Sequence, residues 1–152
     1  MEARLDFART APSGIRSLQE LEKYLHGTGL EPQLLELVRL RASLLNGCAF
    51  CIDMHSKDVR ALGEREQRLY ALAAWQETPF FSARERAALA WTDALTKIHE
   101  EVSDTLFTMA RETFSEKELV DLSLAIVAIN SWNRLAIAFR KPAGSYRPDL
   151  AR

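Results

Sequence analysis

Cys48 and Cys51 are the only cysteines in the chain, and His55 follows four residues after the second. Two thiols at this spacing can close into a disulfide and be reopened by an external thiol, so the pair is a candidate two-electron redox unit. A histidine beside it adds a base able to take a thiol proton near neutral pH. At about 100° per residue, Cys48, Cys51 and His55 fall within roughly 60° of arc on one helix face. Asn46-Gly47 just upstream sets the cysteines at a helix N-terminus, where unpaired N–H groups and the helix dipole favour thiolate. Val59 and Leu62 prolong the same stripe and turn the sulfurs toward the protein interior.

Other chemistries use the same residue types. Zinc would take Cys48, Cys51 and His55 as three ligands, but a structural site wants four, and no second cysteine pair exists. His26 and His99 stand alone, so no metal is expected. The β-α-β pattern of a thioredoxin-type fold is missing around the pair. No glycine-rich phosphate loop occurs, so neither a flavin nor a nicotinamide cofactor is expected. Two cysteines packed as inert apolar residues remain a third reading.

The elements that must position these residues are all helical. Pro32 opens a helix carrying Leu34, Leu35, Val38, Leu40 and Leu44 to Asn46-Gly47, and a second holds Cys48 to Leu62, ending at Gly63. Ser17-Leu18-Gln19-Glu20, Ser82-Ala83-Arg84-Glu85 and Ser115-Glu116-Lys117-Glu118 read as capping boxes that start three more. Further helices are expected over Arg65 to Trp75 and from Ser103 or Asp104 through Ala110, with an irregular tail around Pro142, Gly144 and Pro148. Almost nothing alternates with period two, so the expected class is all-α, one domain over residues 1–152.

Glu36-Leu-Val-Arg-Leu echoes Glu118-Leu-Val-Asp-Leu, a register that sets Cys48 against Asn130 and Cys51 against Asn133. Trp75, Trp91 and Trp132 read as core, and Arg134 as a partly buried ion-pair partner. Glu64-Arg65-Glu66 and Arg84-Glu85-Arg86 read as solvated helix faces.

Of the 152 residues, 47% are apolar and 27% charged, with a net charge of −1. That balance carries no footprint for nucleic acid or anionic lipid. The most apolar stretch, Leu119 to Phe139, is broken by Asp121, Asn130, Asn133 and Arg134, so no membrane span is expected. No signal-peptide core precedes the first helix, and the cytoplasm is the expected compartment.

With Glu36 included, the spacing becomes Glu-x11-Cys-x2-Cys-x3-His. This resembles the core motif of the alkylhydroperoxidase AhpD-like branch of the carboxymuconolactone decarboxylase family. The Ser-Trp-Asn-Arg run at Ser131 to Arg134 is similar to members of that branch as well. The resemblance implies a compact helical fold, a homo-oligomer (trimer or hexamer) and thiol-dependent reduction of hydroperoxides. It also implies Cys48 and Cys51 as the redox pair, with Glu36 and His55 as their proton relay. In that scheme His55 holds Cys51 as the attacking thiolate, Cys48 closes the disulfide, and an external dithiol, protein or lipoyl-type, restores the pair. Phe50 departs from the pattern, since a family peroxidase carries histidine immediately before the second cysteine.

Two alternatives use the same residues differently. A decarboxylase-like enzyme acting on a small lactone acid would employ His55 and Glu36 as acid and base, whereas a non-catalytic redox sensor would form the disulfide without turnover. One straight helix would leave Glu36 about 18 Å from Cys48, so any relay requires the Asn46-Gly47 break to fold the chain back. Burial among Leu35, Leu37 and Leu40 should then raise the Glu36 pKa toward neutrality.

Overall fold

Proline and glycine punctuate the chain at the points where its helices turn. The computed structural model describes residues 2–148, and these form eight α-helices and one 3₁₀ segment, with no strand among the described residues. The helices are α1 Phe7–Thr10, α2 Pro12–His26, α3 Pro32–Asn46, α4 Ala49–Ala61, α5 Glu66–Ala71, α6 Ala83–Thr96, α7 Asp104–Thr113 and α8 Glu116–Ala138. The all-α expectation is therefore met.

Pro32 sits in the first turn of α3, and Ser82 and Ser115 each form a reciprocal capping box with the glutamate three residues on. Ser103 caps α7. The tail at residues 141–148 has no regular structure. No helix among the described residues is long and apolar enough to cross a membrane.

Two expected boundaries are corrected. Ser17 does not open a helix: Pro12 does, and the Ser17 hydroxyl instead donates to the Ser13 carbonyl at 3.4 Å. The short α1, capped by Asp6, runs directly into α2, so its start is set by Pro12 and the burial of Ile15. The second correction concerns Arg65 to Trp75, which splits into α5 and a 3₁₀ turn over Leu72–Glu77, with Ala74 outside helical geometry at φ −119°, ψ 39°. Buried Arg41 on α3 accounts for the break. Its guanidinium donates to the Ala73 carbonyl at 2.8 Å and to both Asp93 oxygens at 2.6 and 2.8 Å, drawing that carbonyl out of the helical ladder.

α3 is the axis of the fold. It packs against α4, α6 and α8, and every residue from Leu34 to Ser43 is buried, including Glu36, Arg39 and Arg41. A helix surrounded on all sides must pair each charge it carries. The two larger apolar clusters lie along α3, one with α6, α7 and α8 around Val38, Phe114, Leu122 and Ile126, the other around Leu37, Val59, Leu72 and Leu89. A third and smaller cluster joins Ala42, Cys48, Cys51, Ile129 and Ala136, with Phe50 and Trp132 against it. The sulfurs belong to that one.

Candidate active site

The turn between α3 and α4 builds the site. Gly47 is left-handed at φ 68°, a conformation open to glycine at little cost, and its N–H returns to the Leu44 carbonyl at 3.3 Å. Cys48 N–H then bonds the Ser43 carbonyl at 3.0 Å, so α4 runs back beside α3. Asn46 fastens the turn to α8 by donating to the Asn133 and Asn130 side-chain oxygens at 2.8 and 3.0 Å. The fold-back places the His55 ring nitrogen Nδ1 2.7 Å from Glu36 Oε2. The four residues singled out by spacing are thus brought to one place.

Cys48 is the N-cap of α4, its sulfur accepting the Cys51 N–H at 3.4 Å. Both cysteines are free and buried, and their sulfurs stand 2.7 Å apart. Val59 continues the buried stripe, whereas Leu62 is exposed. The hydrogen bond from the Cys51 thiol, helped by backbone N–H groups of Cys51 and Phe50 and by the Asn133 amide, outweighs burial and lowers the Cys48 pKa to about 7. Holding that proton for Cys48, and being itself buried, pushes the Cys51 thiol up. The sequence reading places the thiolate on Cys51. The structure favours the first ionisation on Cys48, because the Cys51 thiol, the N-cap amides and Asn133 donate to its sulfur.

Glu36 also departs from expectation. Burial does push its carboxyl up, but hydrogen bonds and charge from His55 and Arg39 outweigh it and hold the pKa at about 2. Arg39 Nη1 donates to Glu36 Oε1 at 2.6 Å and Nη2 to Glu22 Oε2 at 2.7 Å, while Trp132 Nε1 donates to the other Glu22 oxygen at 3.0 Å. A chain of contacts therefore runs from α8 through α2 and α3 to His55 on α4. Among the described residues, His55 Nε2 is the buried side-chain polar atom left without a hydrogen-bond partner.

A cavity of about 350 Å³ lies against this end of the site, lined by Cys51, His55, Met54, Phe50, Trp132 and Lys141 among others. Cys48 is not on its wall. The Lys141 ammonium stands 4.1 Å from the centre of the Phe50 ring, and its charge favours the Cys51 anion. A cation thus reaches the site across the residue that departs from the family pattern. A second cavity, of about 810 Å³, shares Glu36, Arg39, Asp58 and Tyr146 with the first. The tail is tied to α4 there, Tyr146 Oη donating to Asp58 Oδ1 at 2.7 Å and Gly144 N–H to Asp53 Oδ2 at 3.0 Å.

Glu36, His55 and Asp58 bring one ligand atom each to within 4.8 Å of one another. A cation there would compete with Arg39 for Glu36 and with Tyr146 for Asp58. The cysteines are not part of this group, so the site does not resemble the thiolate zinc set weighed from spacing.

Sequence reasoning missed Arg39, Glu22 and Asn133, and assigned Trp132 to packing alone. Arg39 carried a signal, being three residues from Glu36 on an otherwise apolar helix. Asn133 was flagged by the echo that set it against Cys51, and it lies beside both sulfurs. Glu22 had none. Arg134 donates to Asn130 oxygens at 2.9 and 3.0 Å, with no ion pair among the described residues. Glu64 is buried, taking Arg68 Nε at 2.8 Å, and Arg84 joins Glu31 to Glu118. Those two segments tie elements together and are not simply solvated faces.

The sequence model of the carboxymuconolactone decarboxylase family matches residues 12–94. The chain is 43% identical to the uncharacterized protein YdfG of Bacillus subtilis (strain 168), over 95% of this chain and 99% of that one. Among solved structures, ATU0492 of Agrobacterium tumefaciens superposes with a TM-score of 0.91 at 41% identity, covering 95% of this chain and 100% of that one. ATU0492 is of unknown function, and an AhpD antioxidant-defence role has been suggested for it. A variant of the debrominase Bmp8, crystallised in complex with 2,3,4-tribromopyrrole, shares the fold at a TM-score of 0.80 and 18% identity, over 90% of this chain and 73% of that one.

Proposed function

The chain belongs to the carboxymuconolactone decarboxylase family as an AhpD-like member, and from that premise we propose that it reduces organic hydroperoxides through a Cys48–Cys51 dithiol. The observation that carries this reading is the buried pair of free sulfurs 2.7 Å apart, with Cys51 and His55 lining one cavity and His55 Nε2 unpartnered.

The proton on Cys51 passes to His55 Nε2, and the uncovered Cys51 thiolate attacks the terminal peroxide oxygen. The O–O bond breaks, Cys51 becomes a sulfenic acid, and the leaving alkoxide takes a proton from His55 to depart as alcohol. Cys48, as the thiolate, then attacks the Cys51 sulfur, the S–O bond breaks, and the leaving hydroxide takes a proton from solvent to become water. Two electrons leave the thiols and two reduce the peroxide. An external dithiol, protein or lipoyl-type, reopens the disulfide.

Glu36 is not a proton carrier in this scheme: with its pKa at about 2 it stays a carboxylate and anchors His55. The test is intact mass after one equivalent of cumene hydroperoxide. The expected result is loss of two hydrogens and of both titratable thiols, and two thiols persisting in folded protein would overturn the reading.

We extend the proposal to assembly. Val120 and Val127 on α8 and Phe107 and Met109 on α7 are all 49% exposed or more, an apolar surface suited to a second copy of the chain. A closed trimer or hexamer is expected, with α8 near its core, and light scattering that shows only monomer at micromolar concentration would refute it. A cytoplasmic setting, where reducing dithiols are abundant, fits the same cycle.

A further inference from the structure

Glu36 and a neutral His55 can pair in two ways that differ by one proton on Glu36, and only one leaves Nε2 bare. If Glu36 is ionised it can only accept, so neutral His55 must donate from Nδ1 and Nε2 is bare. If Glu36 is protonated it donates to Nδ1, and Nε2 carries the hydrogen instead. The contact at 2.7 Å serves both arrangements. Something else must choose between them.

We propose that Arg39 is the positioning residue that makes this choice, fixing His55, one helical turn from Cys51, as the tautomer with a bare Nε2. Arg39 touches neither sulfur nor cavity base; it acts through Glu36. Its side chain is 4% exposed, and its two terminal nitrogens divide between Glu36 Oε1 and Glu22 Oε2. Occupying Oε1 leaves Oε2 as the oxygen that faces His55.

Burial alone would drive Glu36 toward its neutral form, and the neighbouring guanidinium is one of the two groups that oppose this. The other is His55 itself, which cannot settle its own tautomer. Glu22 and Trp132 hold Arg39 from the far side, so α2 and α8 set the state of a histidine on α4. The atom left bare is the one that lacks a partner in the structure.

The inference deepens the peroxidase reading and rests on it for the rate, whereas the tautomer can be read without any peroxide. The chain has three histidines, so ¹⁵N-edited NMR of the full-length protein resolves each ring. In the parent protein at neutral pH, His55 is expected to show a protonated Nδ1 and a bare Nε2. In Arg39→Met Glu36 takes up a proton from solvent and donates it to Nδ1, the ring's own hydrogen is then on Nε2, and disulfide formation with cumene hydroperoxide slows roughly 10- to 100-fold, within the span of one general-base effect.

Arg39→Met leaves two carboxylates without their cation. If it does not fold, the double variant Arg39→Met/Glu22→Gln removes one of them, with the same tautomer change expected. An Arg39 variant that folds and keeps the parent's nitrogen shifts overturns the inference, whatever its rate. A parent protein that shows the bare Nε2, with the shift lost in the variant, but ignores hydroperoxide overturns the peroxidase reading and leaves the assignment of Arg39 standing.

Discussion

Arg39 bridges Glu36 and Glu22 on one side of the molecule, and Arg68 bridges Glu64 and Glu85 on another, with side chains 4% and 11% exposed. Each guanidinium is thus nearly dry and held between two carboxylates. What differs is where the remaining hydrogen-bond capacity goes. Glu36 passes it to His55, a titratable ring next to two thiols. The Arg68 cluster spends it on the main chain: Glu64 accepts the Arg65 N–H, Glu85 accepts the Ser82 N–H, and Arg68 itself reaches the Phe80 carbonyl and stacks on Phe81. Identical pairing chemistry therefore meets a histidine near two thiols in one place and closes a loop in the other. An ion cluster reports function through the groups at its edge.

The comparison is sharpened first at the sulfurs. Cys51→Ser is expected to abolish peroxide-dependent disulfide formation altogether, with the far-ultraviolet spectrum unchanged. Thiolate absorbance is expected near pH 7 in the parent and should move upward in Cys51→Ala, where Cys48 loses its strongest hydrogen-bond donor.

Arg68→Met comes next. Breaking a buried ion cluster costs about 3–5 kcal/mol, so denaturant melts should show a large loss while the oxidation rate of the folded fraction stays at the parental value. A fall in that rate would mean the two clusters are not separable.

Glu36→Gln should, unlike Arg68→Met, reach the rate, slowing disulfide formation on the order of 10²-fold. Its stability effect follows from the sign of the shift. A carboxyl lowered from 4.5 to about 2 stabilises the folded state above pH 4.5, and that contribution is lost as pH falls toward about 2. On the order of 3 kcal/mol of acid dependence should vanish in the variant, read from unfolding free energies across that window.

The smallest effect belongs to Arg84, which also lies between two glutamates, Glu31 and Glu118, but with 30% of its side chain exposed. Arg84→Met is expected to cost about 1 kcal/mol or less and to leave the rate alone, because water screens the pairs. A cost as large as that of Arg68→Met would break the argument that burial sets these energies.

Local signals determined much of this protein. Pro32, Gly47, Ser82, Ser103 and Ser115 act within a turn of themselves, on backbone groups a few residues away, and each does in the structure what its type implies. The spacing of Cys48, Cys51 and His55 likewise determined a shared helix face, since helical geometry alone sets it. Even the juxtaposition of Glu36 with His55 was legible, as the consequence of one left-handed glycine.

What only the tertiary structure decided is ionisation. Glu36 stays charged because His55 and Arg39 face it, and Arg39 is held there by Glu22 seventeen residues earlier and, through it, by Trp132. Which sulfur ionises first depends on the Cys51 thiol's hydrogen bond to Cys48 and then on the N-cap amides and Asn133, not on the ring that sequence placed beside it. The break after α5 depends on Arg41 arriving from α3. In each case the deciding term is an electrostatic or hydrogen-bond contact between groups distant in sequence, and its sign turns on burial, which packing creates.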